Sequence, residues 1–249
     1  MDSGAKGGSE DGDVAMEITP DHLVLFRCGF LQLNATIVYT WVVMLILVAA
    51  AWLATRNRKR AAGAPRSAWE GALEGIVALL RGQIREICGR EGGDEYLPFV
   101  GTLFLFIAVS NVLDAVFPHW HAPTGSLSTT AALAICVAVS VPFFGIRTAG
   151  LKGYLHHYLN PTFFMVPFHL MSEISRTLAL AVRLFGNIMS GSMIVALLLA
   201  IAPLFLPVLM QVLGLLIGLI QAYIFAVLTM VYIAAAVRRQ EESPGEQEQ

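Results

Sequence analysis

Five stretches of the chain are apolar for long enough to cross a bilayer, and each is closed off by charge or proline. The first runs over about Ala35–Ala54 and is followed at once by Arg56, Arg58, Lys59, Arg60 and Arg66. A helix needs about 20 apolar residues to cross a hydrocarbon core of about 30 Å. The second span is Pro98–Phe117, ending in a loop with Pro118, His119, His121 and Pro123. The third covers about Leu127–Ile146 and returns to a loop holding Arg147 and Lys152. The fourth, about Pro167–Ala202, carries charges within it, and Pro203 to Pro207 turn the chain into a fifth, about Val208–Val237, which stops at Arg238 and Arg239. Between the first two spans the pattern changes. Trp69, Leu73, Ile76, Val77, Leu80, Ile84 and Ile87 recur at helical spacing, and Glu70, Glu74, Arg81, Arg85, Glu86 and Arg90 fill the other face. That is an amphipathic helix over about 67–90, expected on the membrane surface against lipid or against a protein partner.

Composition agrees with this pattern. Hydrophobic residues make up 56% of the 249 and charged residues 14%, with a mean hydropathy of +0.67. Soluble domains carry about 25% charge. Long apolar runs without strict alternation point to helices rather than a membrane barrel. The expected fold is therefore an all-α integral membrane protein of about five transmembrane helices plus one surface helix. A net charge of −2 gives no nucleic-acid footprint. Cys28, Cys88 and Cys136 stand far apart, with neither metal-ligand spacing nor a disulfide framework.

Basic residues fix the expected orientation. Of the 16 Lys and Arg, Lys6 and Arg27 fall outside, Arg176 and Arg183 fall within the membrane, and the others fall on the cytoplasmic side. The N-terminus is then outside and the C-terminus cytoplasmic. Residues 1–34 read as an extracytoplasmic tail, acidic, Gly-rich and disordered in part, 35–239 as the membrane domain and 240–249 as a cytoplasmic tail.

The buried charges carry the chemistry. Arg183 has apolar neighbours for several turns on both sides. A charge at the bilayer centre costs about 2.5–3.5 kcal/mol even on the lenient insertion scale, and arginine does not escape by losing its proton. A carboxylate partner, water, or both must compensate. Glu173, Arg176, Arg183, Asn187 and Ser190 follow at intervals that place them on one stripe. Such a stripe must face a cavity or a protein rather than lipid. Gly186, Ser190 and Gly191 add small residues that let a second helix approach; packing within the chain would use them equally well. Gln221, on the other arm of the terminal hairpin, is placed to lie beside Arg183, although a lone intramembrane glutamine often only joins two helices.

These residues resemble subunit a of F-type ATP synthases. The likeness rests on Arg183-Leu184-Phe185-Gly186-Asn187 followed by Gly191, and on Gln221-Ala222-Tyr223-Ile224-Phe225. Pro98, Leu103 to Phe106, Asn111 and Asp114, and then Pro123-Thr124 with Thr129-Thr130-Ala131, resemble two further motifs of that family. The likeness spans about residues 67–239 in the right order. It implies a membrane stator whose last two helices, about 167–237, lie as a tilted hairpin against a ring of c subunits. Each c subunit carries an ion-binding carboxylate, which the arginine at Arg183 attracts and discharges between two offset half-channels. Implied partners are the c-ring, the peripheral-stalk b subunits, the remaining synthase subunits and the lipid of a bacterial inner membrane. No cofactor is implied beyond the carried ion, H⁺ or Na⁺.

Two positions depart from the proton-linked pattern. A glutamate often follows the arginine by nine residues, where this chain has Ser192, and a histidine often precedes the glutamine by seven, where it has Gly214. Either Asp114, His119, His121, His169 or Glu173 replaces the missing pair, or the ion is sodium; the sequence is also similar to the sodium-linked branch. The expected ion-path residues are thus Arg183, Asn187, Gln221, Arg176, Glu173, Asp114, Asn111, Ser190 and Ser192, with Gly186 and Gly191 facing the rotor. A stand-alone secondary transporter is the alternative. An intramembrane protease built on Ser190, Ser192 and His169 would leave Arg183 without a role. The chain has no GxxxxGK[ST] phosphate loop, so nucleotide chemistry belongs to other subunits.

Overall fold

The computed structural model describes residues 24–28, 31–58, 68–89, 93–117, 122–159, 165–202 and 205–241. A two-stranded antiparallel hairpin comes first, β1 (Val24–Cys28) and β2 (Leu31–Asn34), with Val24 opposite Asn34 and Cys28 opposite Leu31. The sequence reading placed this segment in a tail. Leu31-Gln32-Leu33-Asn34 alternates apolar and polar, which is a strand signal; residues 1–23 lie outside the described part.

Six helices follow: α1 (Ala35–Arg58), α2 (Ala68–Cys88), α3 (Leu97–Val116), α4 (Leu127–Leu159), α5 (Met165–Ile201) and α6 (Leu206–Glu241). Five of them, all but α2, are long and apolar enough to cross a membrane. The fold is an all-α membrane bundle with one small hairpin. The apolar stretches of α5 and α6 cover 31 and 32 residues. At 1.5 Å per residue each is about 46–48 Å long, well beyond a perpendicular crossing.

Helix α4 corrects one expectation. The chain does not enter a loop at Arg147 but stays helical to Leu159, with a break at Gly150, where φ is 74° and ψ is 161°. Only glycine adopts that φ without strain. Beyond it Leu151, Tyr154, Leu155, Tyr158 and Leu159 recur at helical spacing, a pattern obscured in the sequence by Lys152 and the His156-His157 pair.

Helix α6 is the centre of the bundle, packing on α2, α3, α4 and α5. Its Ala222 and Phe225 join Ile107 of α3, Val137 of α4, and Leu180 and Leu184 of α5 in one buried cluster. A second cluster seats α2. Leu80 and Ile84 are buried against Tyr96, Val100, Val141, Met230 and Ile233. The amphipathic helix therefore spends its strongest apolar contacts on its own chain, leaving Val77 and Leu79 exposed. Arg81 adds an ion pair to Asp94 at 3.1 Å across the turn into α3; such half-exposed pairs contribute little. Ile84→Ala should destabilise the seat of α2 by about 2–5 kcal/mol, read as a lower unfolding temperature of the purified complex. An unchanged temperature would show that α2 is held by something other than this cluster.

Candidate functional site

The turn from α3 to α4 does not stay at the surface. Pro123, Thr124 and Gly125 form a single buried 3-10 turn, packed against α1, α3, α4 and α5. The Ala122 N–H donates to Asp114 Oδ1 at 3.0 Å, which ties the turn to the end of α3. A Cβ on Gly125 would come within 3.2 Å of Ile188 Cγ2, so the turn meets α5 far from its end. Thirteen residues, about 20 Å of helix, separate Ile188 from Ile201. The outer parts of α5 and α6 thus run past the rest of the bundle, with Met193, Leu197, Leu209, Val212 and Leu216 exposed.

Arg183 lies on the outward face of α5. Leu180, Ala181 and Leu184 are the buried residues of this helix among those described, and Arg183 projects away from them, exposed. Among the described residues its guanidinium has no carboxylate within ion-pair distance. The charge is therefore neither paired nor sunk in the bundle; it is presented to whatever covers α5. Arg176 shares that face, seven residues earlier, about 10 Å along the axis and about 20° around it. Its guanidinium lies over the Tyr232 ring of α6, 5.3 Å from the centroid.

This contact sets the register of the hairpin. Moving seven residues on along α5 and seven back along α6 brings Arg183 level with Phe225, and four more bring Asn187 level with Gln221. Gln221 thus lies one turn from Arg183 in height. It is buried, and its Nε2 has no hydrogen-bond partner among the described residues. The Thr124 hydroxyl, at the height of Ile188, is also buried and unpartnered. Two orphaned polar atoms at one height call for internal water, because an unmet buried donor costs about 1–3 kcal/mol.

Asn111 is locked. Its Nδ2 donates to the Gly218 carbonyl at 2.9 Å, joining α3 to α6. Asp114, one turn outward, comes level with Leu215 and hence beside Gly214. Gly214 has open space where a side chain would stand. Ser192 lies nine residues beyond Arg183, so it faces about 180° away from it on α5. Its hydroxyl and that of Ser190 donate to the helix carbonyls of Met189 and Asn187, at 2.9 and 3.1 Å. Gly186 shares the face of Arg183 and Ser190. Gly191 is turned about 140° from Gly186, so the two do not form one surface. Glu173 is half-buried, and its backbone carbonyl accepts a hydrogen bond from the Thr177 hydroxyl at 2.9 Å. His119 and His121 lie outside the described residues, and His169 falls near the start of α5.

Two groups come together from the expected residues. Arg176, Arg183 and Ser190 stand on the open face of α5. Asn111 meets Gly218 at the α3–α6 contact, and Asp114, Gly214 and Gln221 stand within about a turn of it on the same two helices. Sequence reasoning missed Gly218 and assigned no contact to Thr124 or Tyr232. Gly218, four residues after Gly214, and Thr124, inside a motif already singled out, carried signals that spacing alone did not convert into contacts.

Comparison with known proteins bears on the same segments. A family model described as ATP synthase A chain matches residues 37–234. The chain is similar to ATP synthase subunit a 1 of Crocosphaera subtropica, 53% identical over 92% of this chain and 98% of that one. Subunit a of Albidiferax ferrireducens is 53% identical over 92% and 97%, and subunit a 1 of Chlorobaculum parvum 54% identical over 92% and 99%. Matched along most of its length by the family model and at more than half identity by these relatives, the chain belongs to the ATP synthase A chain family.

Proposed function

We propose that this chain is the stator ion channel of a rotary ATP synthase, discharging and reloading the carboxylates of a c-ring that passes along α5. One observation carries the reading: an arginine presented on the open face of an apolar helix, with no carboxylate partner among the described residues. A fixed positive charge lowers the proton or cation affinity of a carboxylate brought beside it. It also repels a free cation, and so separates an inner from an outer aqueous path. Leu180, Ala181 and Leu184 alone are buried along the apolar stretch of α5, which leaves its length open to a rotor. The subunit is non-catalytic, and nucleotide chemistry sits on other subunits. Peripheral-stalk b subunits complete the stator, and no cofactor takes part.

The outer path runs past Asp114, the space at Gly214, Asn111 and the orphaned amide of Gln221, and it ends near Arg183. Asp114 is the one titratable group among these residues. A path with one carboxylate and amide oxygens, and no chain of titratable groups, suits a hydrated sodium ion better than a proton relay, and sodium is the ion we propose. The charge distribution supports a bacterial inner membrane with the C-terminus cytoplasmic.

The test uses the whole complex in liposomes. ATP-driven uptake of radioactive sodium that persists with a protonophore present is the expected result. Acidification abolished by the protonophore, with no sodium uptake, would replace sodium by the proton. Uptake of neither ion would overturn the stator reading itself.

A further inference from the structure

The second arginine of α5 raises a difficulty that the first does not. Arg176 and Arg183 stand on one face, about 10 Å apart along the axis. Both are exposed, and among the described residues neither is paired with a carboxylate. An arginine side chain is long and flexible, and its head can sweep several ångströms. A carboxylate released by Arg183 toward the cytoplasmic end of α5 would therefore meet a second cation with free donors. Two successive traps on one track would hold the rotor at the second.

Tyr232 stands against that outcome. Its ring faces the Arg176 guanidinium at 5.3 Å, inside the range of cation–π attraction. The ring belongs to α6, which is anchored along this section by buried Thr229, Met230, Ile233 and Ala234. An anchored ring draws the guanidinium inward from the face of α5 and makes its excursions outward unfavourable.

We infer that Tyr232 is a positioning residue, whose ring holds Arg176 off the rotor track so that Arg183 alone captures the passing carboxylate. This rests on the stator reading given above. The ring does so by its face and not by its hydroxyl, so Phe should replace Tyr and an aliphatic side chain should not. Loss of the ring raises the population of released Arg176 by about fivefold, the factor that a contact of this kind supplies.

The test is a double-variant cycle on the whole complex in liposomes, reading the initial rate of ATP-driven ion uptake at saturating ATP. Tyr232→Leu should slow uptake by about fivefold, and Tyr232→Phe should not. In an Arg176→Gln background, Tyr232→Leu should change the rate no further, because no guanidinium remains to restrain. Equal slowing by Tyr232→Leu in both backgrounds would overturn the inference and make the ring a packing element. Slowing by Tyr232→Phe as large as that by Tyr232→Leu would overturn it also, by assigning the role to the hydroxyl. If Tyr232→Leu fails to assemble, Tyr232→Met carries the same cycle. Arg183→Ala in the same preparation separates the two claims: retained uptake there removes the stator reading, whereas lost uptake with no coupling in the cycle removes only the role of Tyr232.

Discussion

Replacing Arg183 with alanine is expected to abolish ATP-driven ion uptake by the reconstituted complex while the complex itself assembles. The two halves of that expectation come from different facts. Assembly should survive because the guanidinium makes no ion pair within the described chain and fills no cavity in the bundle. The residues that seat α5, Leu180, Ala181 and Leu184, are left untouched. On the stator reading, transport should fail because a passing carboxylate loses the charge that favours its discharge, and no other described residue supplies one at that height. Removing one partner of a desolvated charge pair costs about 3–5 kcal/mol, or a factor of about 100 or more. Arg183→Lys tests the same point more finely. It keeps a charge but loses the planar fork and admits deprotonation in a dry site, so it should also fall far below wild type. Uptake by Arg183→Ala above about a tenth of the wild-type rate would remove the arginine from the mechanism.

Gly218→Ala is expected to weaken the complex more than any other single methyl group added to the hairpin. A Cβ there would lie 2.9 Å from both Cγ and Nδ2 of Asn111. Asn111 is buried and bonded to the Gly218 carbonyl, so it cannot swing away without orphaning its amide. Overpacking at about 1–3 kcal/mol and a lost buried hydrogen bond at about 1–3 kcal/mol act together. The α3–α6 contact would open along the proposed outer path. Less complex should be recovered from membranes, with a lower unfolding temperature. Asn111→Ala placed on top of Gly218→Ala should recover part of the loss, because it makes room for the new methyl. Wild-type recovery of the single variant, or no gain in the double, would show that this contact is not what aligns α3 with α6.

Much of the architecture was legible because lipid leaves a chain few choices. Every backbone group must be satisfied within its own segment, so apolar length alone marked the five crossings. The weaker signals failed where polar and apolar residues mix. The β-hairpin at Val24–Asn34 and the helical continuation beyond Gly150 are both short amphipathic patterns that basic or acidic neighbours obscured. For the site, the single-helix relations could be read by counting. Arg176, Arg183 and Ser190 share a face in the structure as their spacing required. Relations between helices could not be counted. That Asn111 is spent on Gly218, that Arg176 lies over Tyr232, and that Thr124 is brought in against α5 all depend on register between elements distant in sequence. The paired glycines Gly186 and Gly191 show the reverse error, since a count of five places them on different faces.

The support of α5 is uneven, and on the stator reading this governs how thrust is carried. Its buried residues cluster at Leu180, Ala181 and Leu184, directly behind Arg183, while the remainder of its apolar length has little of the chain beneath it. A sideways push on the arginine passes through these three residues into Phe225 and Ile107, members of the same buried cluster. Pushed anywhere further out, the helix bends. The stator is stiff at the one point where the rotor must be opposed and compliant elsewhere, so it can follow small irregularities in a turning ring without losing its grip at the charge.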